Sequence, residues 1–132
     1  MEIEVGQIVK LSIPHFKKDR YYLVYQIDEV DHFLANITGK DKRESVNPIP
    51  QCPLNKEIDP EIESLINSNT KIFIRHELFF KLIENAPYPQ QNKLGQPLPS
   101  LSEQEVNEIR KSIDDCFKDN RFRGNRYKVR IE

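Results

Sequence analysis

The chain has 132 residues, with 20 Lys and Arg against 21 Asp and Glu, 37% hydrophobic and 31% charged residues, a balance that describes one soluble globular domain with a single core. A formal net charge of −1 excludes a protein that coats nucleic acid indiscriminately, because nonspecific affinity grows with the number of phosphates neutralised. No apolar run approaches a membrane span and the charged start Met1-Glu2-Ile3-Glu4 is unlike a signal peptide, so no membrane association and a cytoplasmic location are expected.

Residues 3–13 alternate loosely and predict a first strand, ended by Pro14. Tyr21-Tyr22-Leu23-Val24-Tyr25-Gln26-Ile27 is rich in aromatic and branched side chains and predicts a second. Asp28-Glu29-Val30-Asp31 supplies turn polarity, and His32-Phe33-Leu34-Ala35-Asn36-Ile37-Thr38 reads as the returning strand of a hairpin. Antiparallel pairing brings the entrance of one strand beside the exit of the other, so Arg20 and Thr38 are expected at one rim.

Residues 39–60 are polar and carry Pro48, Pro50, Pro53 and Pro60, which predicts an extended loop with a short strand at 45–49. A helical turn is expected at 61–67, with Ile62, Leu65 and Ile66 on its apolar face. Residues 71–79 alternate poorly and predict a strand buried on both sides. Pro87, Pro89, Pro97 and Pro99 exclude regular helix in 85–99, where Tyr88 is expected to cover apolar surface.

A helix follows. Ser102 is its expected N-cap, Glu105 completes a capping box, and Leu101 can staple onto Val106. Val106, Ile109, Ile113, Cys116 and Phe117 fall on one face at helical spacing, which marks packing and not a site. The end of the chain is basic: Lys118, Arg121, Arg123, Arg126, Lys128 and Arg130 stand against Asp119 and Glu132, and 127–131 reads as a last short strand.

The chemistry follows from the hairpin rim. An arginine offers a permanent cation with a planar fork of donors, and a threonine hydroxyl can donate one more hydrogen bond to a phosphate oxygen. In RNA the nucleophile is already present as the 2′-hydroxyl, so a protein need supply only position, charge and proton transfer. Most arginines at strand entrances are simply solvated, and most strand threonines are there for their branched Cβ. His15, Lys17 and Lys18 lie in the loop before Arg20, and Arg75 lies in the late strand.

Several motifs together resemble the PemK/MazF family of toxin endoribonucleases. They are Val5-Gly6-Gln7-Ile8-Val9, Arg20 with its apolar strand, Ile37-Thr38-Gly39, the strand 71–79 and the helix start Leu101-Ser102-Glu103-Gln104-Glu105. They occur in the family's order and span residues 5–117. The resemblance implies a single mostly β domain over residues 1–132, an SH3-like barrel with a C-terminal helix, and the basic residues counted above make a tail from about 118. It further implies a homodimer, a cognate antitoxin partner and cleavage of single-stranded RNA by 2′-hydroxyl attack with no metal or other cofactor.

Carried over, the catalytic arginine falls on Arg20, which contacts the scissile phosphate and helps move the proton, and the catalytic threonine falls on Thr38. His15, Lys17, Lys18 and Arg75 are then the substrate-binding rim. Two departures stand out: Tyr21 replaces the proline that normally follows the arginine, and the 14–19 loop lacks the family's glycines. They leave open an alternative, a non-catalytic barrel of the same fold that binds a protein partner as gyrase-poison-like toxins do.

Other chemistries find little support. None of the four glycines are clustered into a phosphate loop, Cys52 and Cys116 make neither a disulfide framework nor a zinc site, and His32 and His76 lack ligands at metal spacing. Asp114 and Asp115 are helix neighbours that face apart, so they are not a two-carboxylate device.

Overall fold

The computed structural model describes residues 3–12, 19–29, 31–65, 71–81, 83, 90–118 and 128–130. The branched and aromatic runs form strands β1 (Ile8–Leu11), β2 (Arg20–Ile27), β3 (His32–Thr38), β4 (Gln51–Pro53) and β5 (Phe73–Lys81), followed by helix α1 (Glu103–Lys118) and strand β6 (Lys128–Arg130). The sheet runs β1-β2-β3-β5-β4 with every neighbouring pair antiparallel. β6 returns after the helix to lie parallel to β5 along Leu78, Phe79 and Phe80, as expected when a long crossover separates two strands. Among the described residues β1 and β4 do not pair, so the sheet path is open.

The predicted hairpin forms over the expected residues, with Asp28 N–H donating to Asp31 O across the turn at 2.9 Å. The first strand is shorter than predicted because Gly6 turns the chain at φ 94°. No strand forms at 45–49. There the Ser45 hydroxyl bonds the carbonyls of Lys42 and Asn47, and Ile49 N–H bonds Lys42 O, so local turn bonds outcompete strand pairing until Gln51. The expected helical turn is a 3-10 helix, Pro60–Ser64, which together with the residue after it buries Ile62 and Leu65. Ile66, Tyr88 and the tail residues Arg121, Arg123 and Arg126 lie outside the described residues.

Strand alternation sorts the core into two faces. Ile8, Leu23, Ala35, Ile37 and Ile74 share one face with Val106, Ile109 and Ile113 of α1. Val9, Leu11, Tyr22, Val24 and Leu34 form a separate cluster with Ile3 and Ile83. Arg110 Nε donates to Tyr25 O at 2.6 Å and pins the helix to β2. At the sheet edge the Gln90 amide mimics a neighbouring strand, accepting from Lys10 N–H at 2.6 Å and donating to Lys10 O at 3.3 Å.

Helix α1 has the predicted start with one change of partner. Ser102 Oγ accepts from Glu105 N–H at 3.2 Å, but Glu105 does not reach back to complete the box. Asp59 does so instead, taking Ser102 N–H at 3.1 and 3.2 Å and the Ser102 hydroxyl at 3.1 Å. Glu105 is thereby released to accept Asn55 N–H at 2.9 Å, and it is buried. Of the predicted apolar face Val106, Ile109 and Ile113 are buried and Cys116 is half-buried, while the side chain of Phe117 lies outside the described part.

Gly6 is held from both sides, its N–H on Val24 O at 2.8 Å and its carbonyl on Leu101 N–H at 2.7 Å. A Cβ there would lie 2.8 Å from Leu101 O, whereas one on Gly95, at φ 78°, would meet nothing within 4 Å. Gly6→Ala should therefore cost about 2–4 kcal/mol and Gly95→Ala only about 1–2. Equal costs in denaturant unfolding would refute the close approach at Gly6.

Burial, then the nearby Asp59 and Glu108 carboxylates, raise Glu105 to about 7 against the partial relief of the Asn55 N–H. Its contribution to stability is complete below its unfolded value of 4.5 and is lost as pH rises through about 7. The loss is on the order of 3 kcal/mol. Unfolding of Glu105→Gln measured across that window should lack this decline; an unchanged slope would assign it elsewhere.

Candidate functional site

Arg20 and Thr38 are brought together by register. Leu11 pairs with Arg20 and Val9 with Tyr22 across β1 and β2, and Tyr22 pairs with Asn36 across β2 and β3. Continuing that ladder by two residues sets Arg20 level with Thr38. Thr38 in turn pairs with Phe73 and Phe73 with Pro53, while Arg75 pairs with Gln51.

Two parallel rows of side chains result, on the sheet face away from the helix. One runs Leu11, Arg20, Thr38, Phe73, Pro53; the other runs Val9, Tyr22, Asn36, Arg75, Gln51. The rows hold two arginines and no carboxylate.

The electrostatics agree with this layout. Burial pushes the Tyr22 phenol well above its ordinary value, and the charges of Arg20 and Arg75 both pull it back. Both guanidinium groups are therefore near one buried hydroxyl. Arg20 and Thr38 are each half-buried, neither sealed nor fully solvated. Thr38 Oγ1 accepts Lys40 N–H at 3.2 Å, a bond that uses a lone pair and leaves the hydroxyl proton available to an incoming acceptor.

The loop after Thr38 is tied to the same face. Gln51 clamps it, with its amide accepting Lys42 N–H at 2.8 Å and donating to Lys40 O at 3.0 Å. Arg43 then lies over the Phe73 ring, 5.1 Å from its centroid, while gripping Asp41 through Nε at 3.0 Å and Nη2 at 2.8 Å. That grip holds the exposed Asp41 carboxyl down at about 2. A third arginine thus stands beside Thr38's cross-strand partner.

The β3–β5 ladder is irregular at this point. Between the pairs Ala35 with Leu78 and Ile37 with Ile74, five residues of β5 oppose three of β3. Such bulges bend a strand and re-aim its side chains, and they recur beside functional sites. Asn36 and His76 lie within the irregularity and both are buried. Asn36 Nδ2 donates to Tyr21 O at 3.1 Å, but among the described residues its Oδ1 and both ring nitrogens of His76 have no hydrogen-bond partner.

Of the residues singled out from the sequence, Arg20, Thr38 and Arg75 share one face, while His15, Lys17 and Lys18 lie outside the described residues. Tyr22, Asn36 and Arg43 escaped sequence reasoning. Tyr22 and Asn36 sit two positions from Arg20 and Thr38, so strand alternation carried the signal; Arg43 had none. His32 is buried and structural, its Nδ1 accepting Ile83 N–H at 3.2 Å. Among the described residues no three His, Cys, Asp or Glu side chains are grouped to hold a metal ion. No helix there is long and apolar enough to cross a membrane. The chain matches no family model, no curated protein and no solved structure.

Burial lowers the His76 imidazole to about 4. Its share of stability is present above the unfolded value of 6.5 and is lost as pH falls through about 4, the reverse of Glu105. His76→Phe should flatten the acid limb of the stability profile. A wild-type acid limb in that variant would exclude His76 as its source.

Proposed function

We propose that this protein is a toxin-like, sequence-selective endoribonuclease of the PemK/MazF type, one half of a toxin-antitoxin pair. The observation that carries this reading is the common face of Arg20, Thr38 and Arg75, with Tyr22 close to both arginines. A face that gathers guanidinium groups beside a threonine hydroxyl suits a phosphodiester.

In this reading Arg20 and Arg75 hold the scissile phosphate by its non-bridging oxygens, and the Thr38 hydroxyl donates to the oxygen on which charge builds. The neighbouring 2′-hydroxyl attacks phosphorus, the bond to the 5′-oxygen breaks, and the products are a 2′,3′-cyclic phosphate and a 5′-hydroxyl. The proton lost by the 2′-oxygen is balanced by the one gained at the 5′-oxygen, and Arg20 assists that transfer. His15, Lys17 and Lys18, which precede Arg20 in the sequence, are assigned to substrate binding in this reading. In this reading the open sheet is a variant of the family's SH3-like barrel, the active form is a homodimer, the antitoxin is its regulator, and the cytoplasm is where it acts. No cofactor is required.

Tyr21, in the place of the family's proline, favours a second reading: a non-catalytic member that binds a protein partner. One assay separates the two. Purified protein incubated with a mixed single-stranded RNA in EDTA should yield fragments with cyclic phosphate ends, and Arg20→Ala should slow the cleavage by about a hundredfold or more with the fold intact. Uncut RNA over a wide protein range would favour the binder, and full cleavage by Arg20→Ala would displace the assigned site.

A further inference from the structure

On the other side of the sheet, a cavity of about 530 Å³ lies between β4 with the segment after it, Lys71 and the outer turns of α1. That volume falls within the ~300–1,000 Å³ of small-molecule sites. Leu54 and Ile109 supply apolar walls, and Ser112 hydrogen-bonds the Cys52 thiol, which burial pushes up to about 11 and so keeps neutral.

The one deeply buried charged-type group in the lining is Glu105, 2% exposed. One of its oxygens accepts from Asn55 N–H, the only hydrogen bond its carboxylate makes among the described residues, and the carboxyl lines the cavity. A carboxyl largely withdrawn from water and held by a single backbone donor gains from a ligand that brings a further donor through the cavity.

Charge decides the kind of donor. Around Glu105 stand Glu108 on α1, Glu57 and Lys56 on the segment after β4, and Lys71 before β5, with Asp59 close enough to act on it electrostatically. Acids outnumber lysines there. The described residues offer no grouping able to hold a metal ion, which points to a cation that carries its own N–H donors.

We propose that this cavity binds a small organic cation, an ammonium or amidinium on a compact apolar body, with the N–H donors on Glu105 and the body against Leu54 and Ile109. Because Glu105 sits at about 7 in the empty site, the cation must displace a proton below that pH. Affinity therefore rises with pH and levels off once the carboxyl is ionised.

Calorimetric titration of the full chain with benzamidine, and with its neutral isostere benzamide, tests this. Benzamidine should bind about twentyfold tighter near pH 7.5 than near pH 5.5, with proton release at the lower pH. Benzamide should bind at least about tenfold more weakly. Glu105→Gln keeps the oxygen that Asn55 uses and should lose about tenfold or more in benzamidine affinity, and Glu108→Lys on the exposed rim should also weaken it. Equal binding of benzamide, no response to millimolar benzamidine, or unchanged affinity in Glu105→Gln would each overturn the proposal.

Discussion

The pairing register of β2, β3 and β5 is the constraint on which both faces of the molecule depend. In a sheet with apolar clusters on each side, a slip of one residue would exchange Leu23 and Ala35 with Tyr22 and Asn36, placing polar groups under the helix and isoleucines out of reach of it. The same register puts Arg20, Thr38 and Arg75 on one surface. Fold and candidate site thus share one physical cause. Irregularities at Val24 to Gln26 and at residues 74–78 bend the ladder without exchanging those faces.

The two faces carry opposite electrostatic characters. Away from the helix, guanidinium groups surround a buried phenol with a buried amide beside it. Beneath the helix, a buried carboxyl stands among further acids. Desolvated polar groups weaken a core unless they are fully bonded, and proteins keep them chiefly where function uses them. Asn36, His76 and Glu105 break the apolar rule at three places, Asn36 and His76 within the β3–β5 irregularity and Glu105 against a cavity. His76 and Glu105 also titrate in opposing senses across overlapping windows, so the stability of the whole molecule varies less with pH than either group alone would make it.

How far the sequence was legible can be judged element by element. The hairpin was readable because aromatic and branched residues crowd between turn-forming acids, and β3 spans the predicted residues 32–38. Helix α1 was readable because Ser102 precedes an apolar face of period 3.6. The short strand was misplaced, since a serine-led turn and a glutamine clamp in the 40–51 loop involve side chains whose bonding partners no local pattern announces. The capping box failed for a related reason: Asp59, 43 residues from Ser102, supplied the bond expected of Glu105.

By itself the amino-acid order determined where strands and helix form and which residues face together within each, because alternation and helical period are local properties of the backbone. Only the tertiary structure decided which strands lie side by side, that Arg75 joins Arg20 around Tyr22, that Arg43 stacks on Phe73, and that Glu105 is buried against a cavity with Asn55 N–H as its donor. Those features are contacts between distant segments, and their energies depend on desolvation and geometry that arise after the sheet has assembled.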